Sequence, residues 1–133
     1  MATVARVLSG LLALNRTAFG ITYLARPQQA GKSWIGGVAR APGTKVMVRS
    51  QGARDVALGA GALWALARRR DDEARAWMAA HALADGADTV VTWTARRRLP
   101  KRGVRTALTM ASASTAVAVI GAAGLRARAP TAS

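Results

Sequence analysis

Apolar residues fall in four long stretches, about 4–25, 46–67, 74–95 and 104–125, with clusters of charge and proline between them. Each is about the twenty-odd residues that a helix needs to cross a ~30 Å hydrocarbon layer. The stretches are rich in Ala, Leu, Val and Met, hold no proline and show no sustained period-two alternation, which predicts helices rather than strands. Pro27, Pro42 and Pro100 all lie in the connections, where a missing N–H breaks no helix. The charge runs from Arg68 to Arg75 and from Arg96 to Arg105 read as loops. The predicted architecture is all-α, a four-helix transmembrane bundle. It forms a single four-span domain over residues 1–125, and a disordered Ala/Pro/Thr/Ser tail holding Pro130 occupies 126–133.

The four stretches are not equally clean. From Thr106 to Leu125 there is no charge, and Ser112, Ser114 and Thr115 can bond back to their own helix. The others are interrupted, at Arg16, at Arg49, Arg54 and Asp55, and at His81, Asp85 and Asp88, which keeps a soluble helical bundle open. A secretory signal over the first 25 residues is disfavoured. Arg16 ends its apolar run early, no small-x-small cleavage site follows, and apolar character resumes at Ala18. The connection from Arg26 to Lys45 carries Trp34, Ile35, Gly36 and Gly37 among Lys32, Arg40 and Lys45. It reads either as a short segment in the headgroup region with its Trp at the interface, or as a loop in which Trp34 caps the bundle.

The interruptions carry the information. In antiparallel spans Arg16, Arg54 with Asp55, and Asp85 fall near one depth. A lone charge at mid-membrane costs roughly 2.5–3.5 kcal/mol on insertion scales, so these groups are expected to meet. His81, Asp85, Asp88 and Thr92 follow at helical spacing on one face, which must turn inward. Gly52, Asp55 and Gly59 share a stripe whose small residues admit another helix backbone. The cluster of Arg16, Arg54, Asp55, His81, Asp85 and Asp88 is read first as a structural network joining helices one to three. The second reading is a proton-coupled or ligand-binding site using His81, Asp85 and Asp88. A metal site built on one His and two Asp beside Arg54 is the weakest of the three, and no metal is assigned.

Composition sharpens this picture. Twenty Lys+Arg against six Asp+Glu give a formal net charge of +14 and a pI of ≈ 12.0, yet the mean hydropathy is +0.13. The expected partner is anionic. Trp64 and Trp77 flank the second connection and Trp93 precedes Arg96, an arrangement suited to an aromatic belt at the membrane surface. That makes the partner an anionic lipid headgroup. A soluble basic helical protein that binds nucleic acid is the alternative, and no helix-turn-helix, RRM or zinc-finger pattern supports it. There is no cysteine, which removes disulfides and thiol chemistry. Gly31, Lys32 and Ser33 lack the earlier glycine of a phosphate loop, since position 26 is Arg. Neither a GxSxG elbow nor HExxH is present, so the reading assigns no catalytic residue and no cofactor.

Arg16, Gly20 and Pro27, then Trp34, Ile35 and Gly36, then Arg49, Gly52, Arg54, Asp55, Leu58 and Gly59, then Asp85 and Asp88 form a recognisable set. With its R-x-x-G-x-R-D-x-x-L-G core, the chain resembles a family of small bacterial four-helix membrane proteins of unknown function, broadly similar in shape to DoxX-like proteins. The resemblance implies a fold and no reaction. Taken with the charge pattern, the expectation is a multi-pass protein of a bacterial inner membrane, structural or a partner of a membrane assembly. Ser112, Ala116, Gly121 and Gly124 offer a small-residue face for self-association. One side of the membrane would carry Arg6, Arg68, Arg69, Arg70, Arg75, Arg126 and Arg128. The other would carry Arg26, Lys32, Arg40, Lys45, Arg96, Arg97, Arg98, Lys101, Arg102 and Arg105. That bias puts the first and third connections in the cytoplasm and the termini outside.

Overall fold

A computed structural model describes residues 2–125. The expected tail at 126–133, with Arg126 and Arg128, lies outside the described residues. Among those residues the chain is all-helical. It forms α1 (Ala2–Ala25), α2 (Pro27–Ile35), a 3-10 turn (Gly36–Arg40), α3 (Pro42–Ala67), α4 (Asp71–Ala95) and α5 (Lys101–Gly124).

The four long helices are the four apolar stretches, and each begins earlier than the apolar pattern does, most clearly α3, α4 and α5. Residues read as loop form their opening turns. Pro42 sits in the first turn of α3, where its fixed φ suits the helix and its missing N–H costs nothing. Asp71, Asp72 and Glu73 occupy the first turn of α4, next to the positive end of the helix dipole. Lys101, Arg102 and Arg105 likewise belong to α5. Only a tight turn separates α3 from α4. Arg69 takes a left-handed φ of 55°, and the N–H of Arg70 donates to the carbonyl of Ala65 at 2.9 Å, closing the end of α3.

The first connection is not a loop. It folds into α2 and the 3-10 turn, and α2 leans on α3, α5 and α1. Gly31 serves packing in this helix: a methyl there would lie 3.1 Å from Val48 and 3.3 Å from Ala39. Trp34 is half-buried and its backbone lies against Gly103 of α5. It therefore covers one end of the helix assembly.

The long helices pack in a ring, α1 on α3, α3 on α4, α4 on α5 and α5 back on α1. Small residues set the seams. A methyl on Gly52 would sit 2.7 Å from the Gly20 carbonyl oxygen, and one on Gly59 2.6 Å from that of Ala13, so α1 and α3 meet almost backbone to backbone. Gly121 and Gly124 of α5 are taken up in the same way, against Ser9 and Ala5 of α1, whereas Ser112 and Ala116 stay exposed. The interior at this end is Ala13, Ala62, Ala65, Ala74, Met78 and Leu125.

Large apolar side chains point the other way. Leu11, Leu14 and Ile21 of α1, Met47 of α3, Leu83 and Val90 of α4, and Val119 and Ile120 of α5 are all exposed. The interior instead buries Ser9, Arg16, Asp55, His81, Asp85 and Thr92. In a water-soluble domain the large apolar residues dominate the buried set. Two helices, Ala2–Ala25 and Lys101–Gly124, are long and apolar enough to cross a membrane. The other two long helices do not reach that level, because of the charges already noted within α3 and α4.

Candidate functional site

The buried charges form one connected chain across three helices. Arg16 of α1 donates from Nη2 to Oδ1 of Asp85 on α4, and its Nε lies 3.6 Å from Oδ1 of Asp55 on α3. Arg54 donates to the same Asp55 oxygen at 3.2 Å. It then reaches α4 with a two-pronged contact, Nη1 to Oδ1 of Asp88 at 3.2 Å and Nη2 to Oδ2 at 2.7 Å. The order is Asp85, Arg16, Asp55, Arg54, Asp88, with signs alternating throughout. A planar guanidinium suits such bridging because its N–H groups form a rigid fork.

Local sequence explains the reach. Asp55 lies on the Gly52/Gly59 stripe, so the close approach of α1 delivers Arg16 to it. Arg54, one residue earlier, faces the next seam and finds Asp88. On α4, Asp85 and Asp88 are three apart and share a face, one meeting α1 and the other α3. Two neutral groups extend the network. Gln51 donates to Oδ2 of Asp88 at 2.9 Å, and Ser114 of α5 donates to Oδ2 of Asp85. Thr115 does bond back, to the Ala111 carbonyl at 2.8 Å; Ser114 instead crosses to α4. Through it the network touches all four long helices.

Above the network lies a cavity of ≈ 290 Å³. Its floor includes Arg16, Asp55, Asp85, Asp88, Gln51 and Ser114, its sides Leu12, Phe19, Tyr23, Met110 and Ala111, and its far end Ser33 and Trp34 of α2 with Gly103. The volume is at the small end of the roughly 300–1,000 Å³ of small-molecule pockets. Two buried donors of the wall, Arg16 Nη1 and Trp34 Nε1, have no acceptor among the described residues, so each calls for a water or a ligand oxygen.

Five of the six sequence-picked residues, Arg16, Arg54, Asp55, Asp85 and Asp88, are brought together. His81 is fully buried but does not line the cavity. It sits one turn from Asp85, toward the Met78 end of α4. Among the described residues, no group of three His, Asp or Glu side chains is placed to hold a metal ion. Gln51, Ser114, Tyr23 and Trp34 are the site residues that sequence reasoning missed. A polar residue inside an otherwise apolar span was the available signal for Ser114.

The other end of the molecule is built differently. Arg6 pairs with Asp71 and donates to the Leu66 carbonyl at 2.7 Å, tying the start of α1 to the α3–α4 turn. Trp64 at this end and Trp93 at the cavity end are exposed near helix C-termini, with the guanidinium carbons of Arg68 and Arg96 at 4.1 Å and 4.0 Å from their ring centroids. Trp77 packs inward against Gly61, so the outward-facing tryptophans are two rather than three.

A family model described as a domain of unknown function (DUF4267) matches residues 13–126. The chain belongs to that family. The DUF4267 match takes in the whole charge network and all of the cavity wall except Leu12. No curated protein and no solved structure matches the chain.

Proposed function

We propose that the chain is a four-span protein of a cytoplasmic membrane that binds a small amphipathic molecule in the cavity above its Arg/Asp network. The observation that carries the binding reading is the cavity itself. A purely structural cluster would be closed and dry, whereas here a ligand-sized space opens at the Asp85 level with a polar floor and apolar sides.

The membrane reading rests on the outward-facing Leu, Ile, Val and Met side chains of all four long helices and on the inward-facing charges. Although α3 and α4 are less apolar than α1 and α5, the charges near their middles, Arg54, Asp55, Asp85 and Asp88, join the network; Arg49, nearer the start of α3, is exposed and donates to the Leu24 carbonyl. Trp64 and Trp93 stand toward opposite ends of the molecule, where two aromatic girdles would lie. The cavity end carries the connections with ten Lys and Arg, which favours that end in the cytoplasm beside anionic headgroups.

The network also has a structural part, because its bonds tie α1, α3, α4 and α5 together. A proton relay through His81 is less well supported, since His81 is away from the cavity and both Asp85 and Asp88 are paired. DoxX-like shape remains an analogy for the helix count.

The test uses the full chain in lipid nanodiscs, melted in the presence of a panel of small amphipathic molecules. Some members of the panel should raise Tm, and Ala111→Phe, which fills the cavity, should abolish that rise while leaving the unliganded Tm nearly unchanged. Ligand-induced shifts that survive Ala111→Phe, or a panel without effect, would refute the reading.

A further inference from the structure

The charge count of the network is uneven. Two arginines face three aspartates, and the cavity wall is more one-sided still, because Arg54 stands behind it: Arg16 alone faces Asp55, Asp85 and Asp88. Arg16 already turns Nη2 to Asp85 and Nε to Asp55; its Nη1 remains for a water or a neutral ligand oxygen, and its single charge is outnumbered by the carboxylates. An anionic ligand would meet three carboxylates.

The hydrogen bonds point to where the missing charge belongs. Both arginines approach Asp55 at Oδ1, and its Oδ2 makes no bond to any described residue. Asp88, one side-chain step along the network, is the most open of the three carboxylates, with 25% of its side chain exposed. A carboxylate oxygen can accept more than one hydrogen bond. Beside these acceptors the wall presents the rings of Tyr23, Phe19 and Trp34, surfaces that attract organic cations through their electron-rich faces.

We infer that the cavity takes an organic cation, a protonated amine on an apolar body, with its ammonium against Asp55 Oδ2 and Asp88 and its body along the aromatic side. The inference rests on the pocket reading above and names its ligand class. The basic residues of this end lie in the connections and helix ends rather than in the wall, so they set the membrane surface and not the recognition of the bound group.

The experiment compares three probes of one shape, 2-phenylethylammonium, 2-phenylethanol and phenylacetate, titrated by calorimetry into the full chain in zwitterionic nanodiscs. The ammonium should bind at least about tenfold more tightly than the alcohol, and phenylacetate weakest of all. Asp55→Asn should remove that preference, the ammonium and the alcohol then binding alike, and Asp88→Asn should reduce it. Should Asp55→Asn fail to assemble, Asp88→Asn carries the same comparison. Equal binding of ammonium and alcohol, or preference for phenylacetate, overturns the cation inference and leaves the pocket standing. Absence of binding by all three probes, or binding indifferent to Ala111→Phe, overturns both.

Discussion

The two ends of the helix assembly use the same small residues to opposite effect. Toward the α3–α4 turn, α1 and α5 close on each other through Ser9 against Gly121 and Ala5 against Gly124, and the space between the helices is filled by Ala62, Ala65, Ala74, Met78 and Leu125. Toward α2, glycines close the α1–α3 seam and seat α2 itself, Gly31 against Val48 and Gly103 against the Ser33 and Trp34 carbonyls. On the α5 side the helices part around Arg16, Asp85 and Ser114, and α2 spans the gap with Trp34. Small side chains therefore seal one end, while at the other they bring the charges into range and seat α2. The closed end holds the fold together by packing; the open end holds it by ion pairs and leaves room for a guest.

That contrast can be broken by mutation. The largest effect is expected at Arg16, which joins α1 to both α3 and α4 and serves two carboxylates. Arg16→Met leaves Asp55 and Asp85 without their shared cation and should cost about 3–5 kcal/mol, read as unfolding in mixed micelles. Adding Asp85→Asn to it should cost less than the sum of the two single changes, because the pair is one interaction. Additive costs would mean that the two residues do not act together.

Overpacking tests the packing side of the contrast. Ala62 is fully buried at the closed end, and Ala62→Phe should cost about 1–3 kcal/mol or more. Ala111→Phe, projecting into the cavity, should stay within about 0.5 kcal/mol. Equal costs at the two positions would erase the distinction between the ends. The smallest effect belongs to the Arg6–Asp71 pair, whose side chains are 28% and 27% exposed. Arg6→Ala should lower stability by less than about 1 kcal/mol, and less still at high salt.

Much of this arrangement was legible in the residues. The four long helices follow from apolar stretches with prolines at their borders, and the meeting of Arg16, Arg54, Asp55, Asp85 and Asp88 follows from the cost of isolated charge in an apolar layer. The starts of α3, α4 and α5 were less legible, because a first helical turn rich in Asp or Lys looks like a loop. α2 was less legible still, because nine residues holding Gly31 and Lys32 make no long apolar run, and the connection reads as either an interfacial segment or a loop. His81 shares the Asp85 face by spacing, yet one turn along the helix carries it past the cavity. The cavity was beyond reach, since it depends on how far apart α1 and α5 stand, and spacing along a chain says nothing of a gap between helices.

The chain has no cysteine, so a single introduced thiol reports one position cleanly. The most direct test places it at Ala111 in the cavity wall or at Ala62 in the closed end, in nanodiscs. Each variant is then exposed to methanethiosulfonate reagents that carry either an ammonium or a sulfonate. Ala111→Cys should react, faster with the cationic reagent than with the anionic one, and Ala62→Cys with neither. An unreactive thiol at 111, or equal labelling at the two positions, would contradict the claim that one end of the molecule is an open binding site.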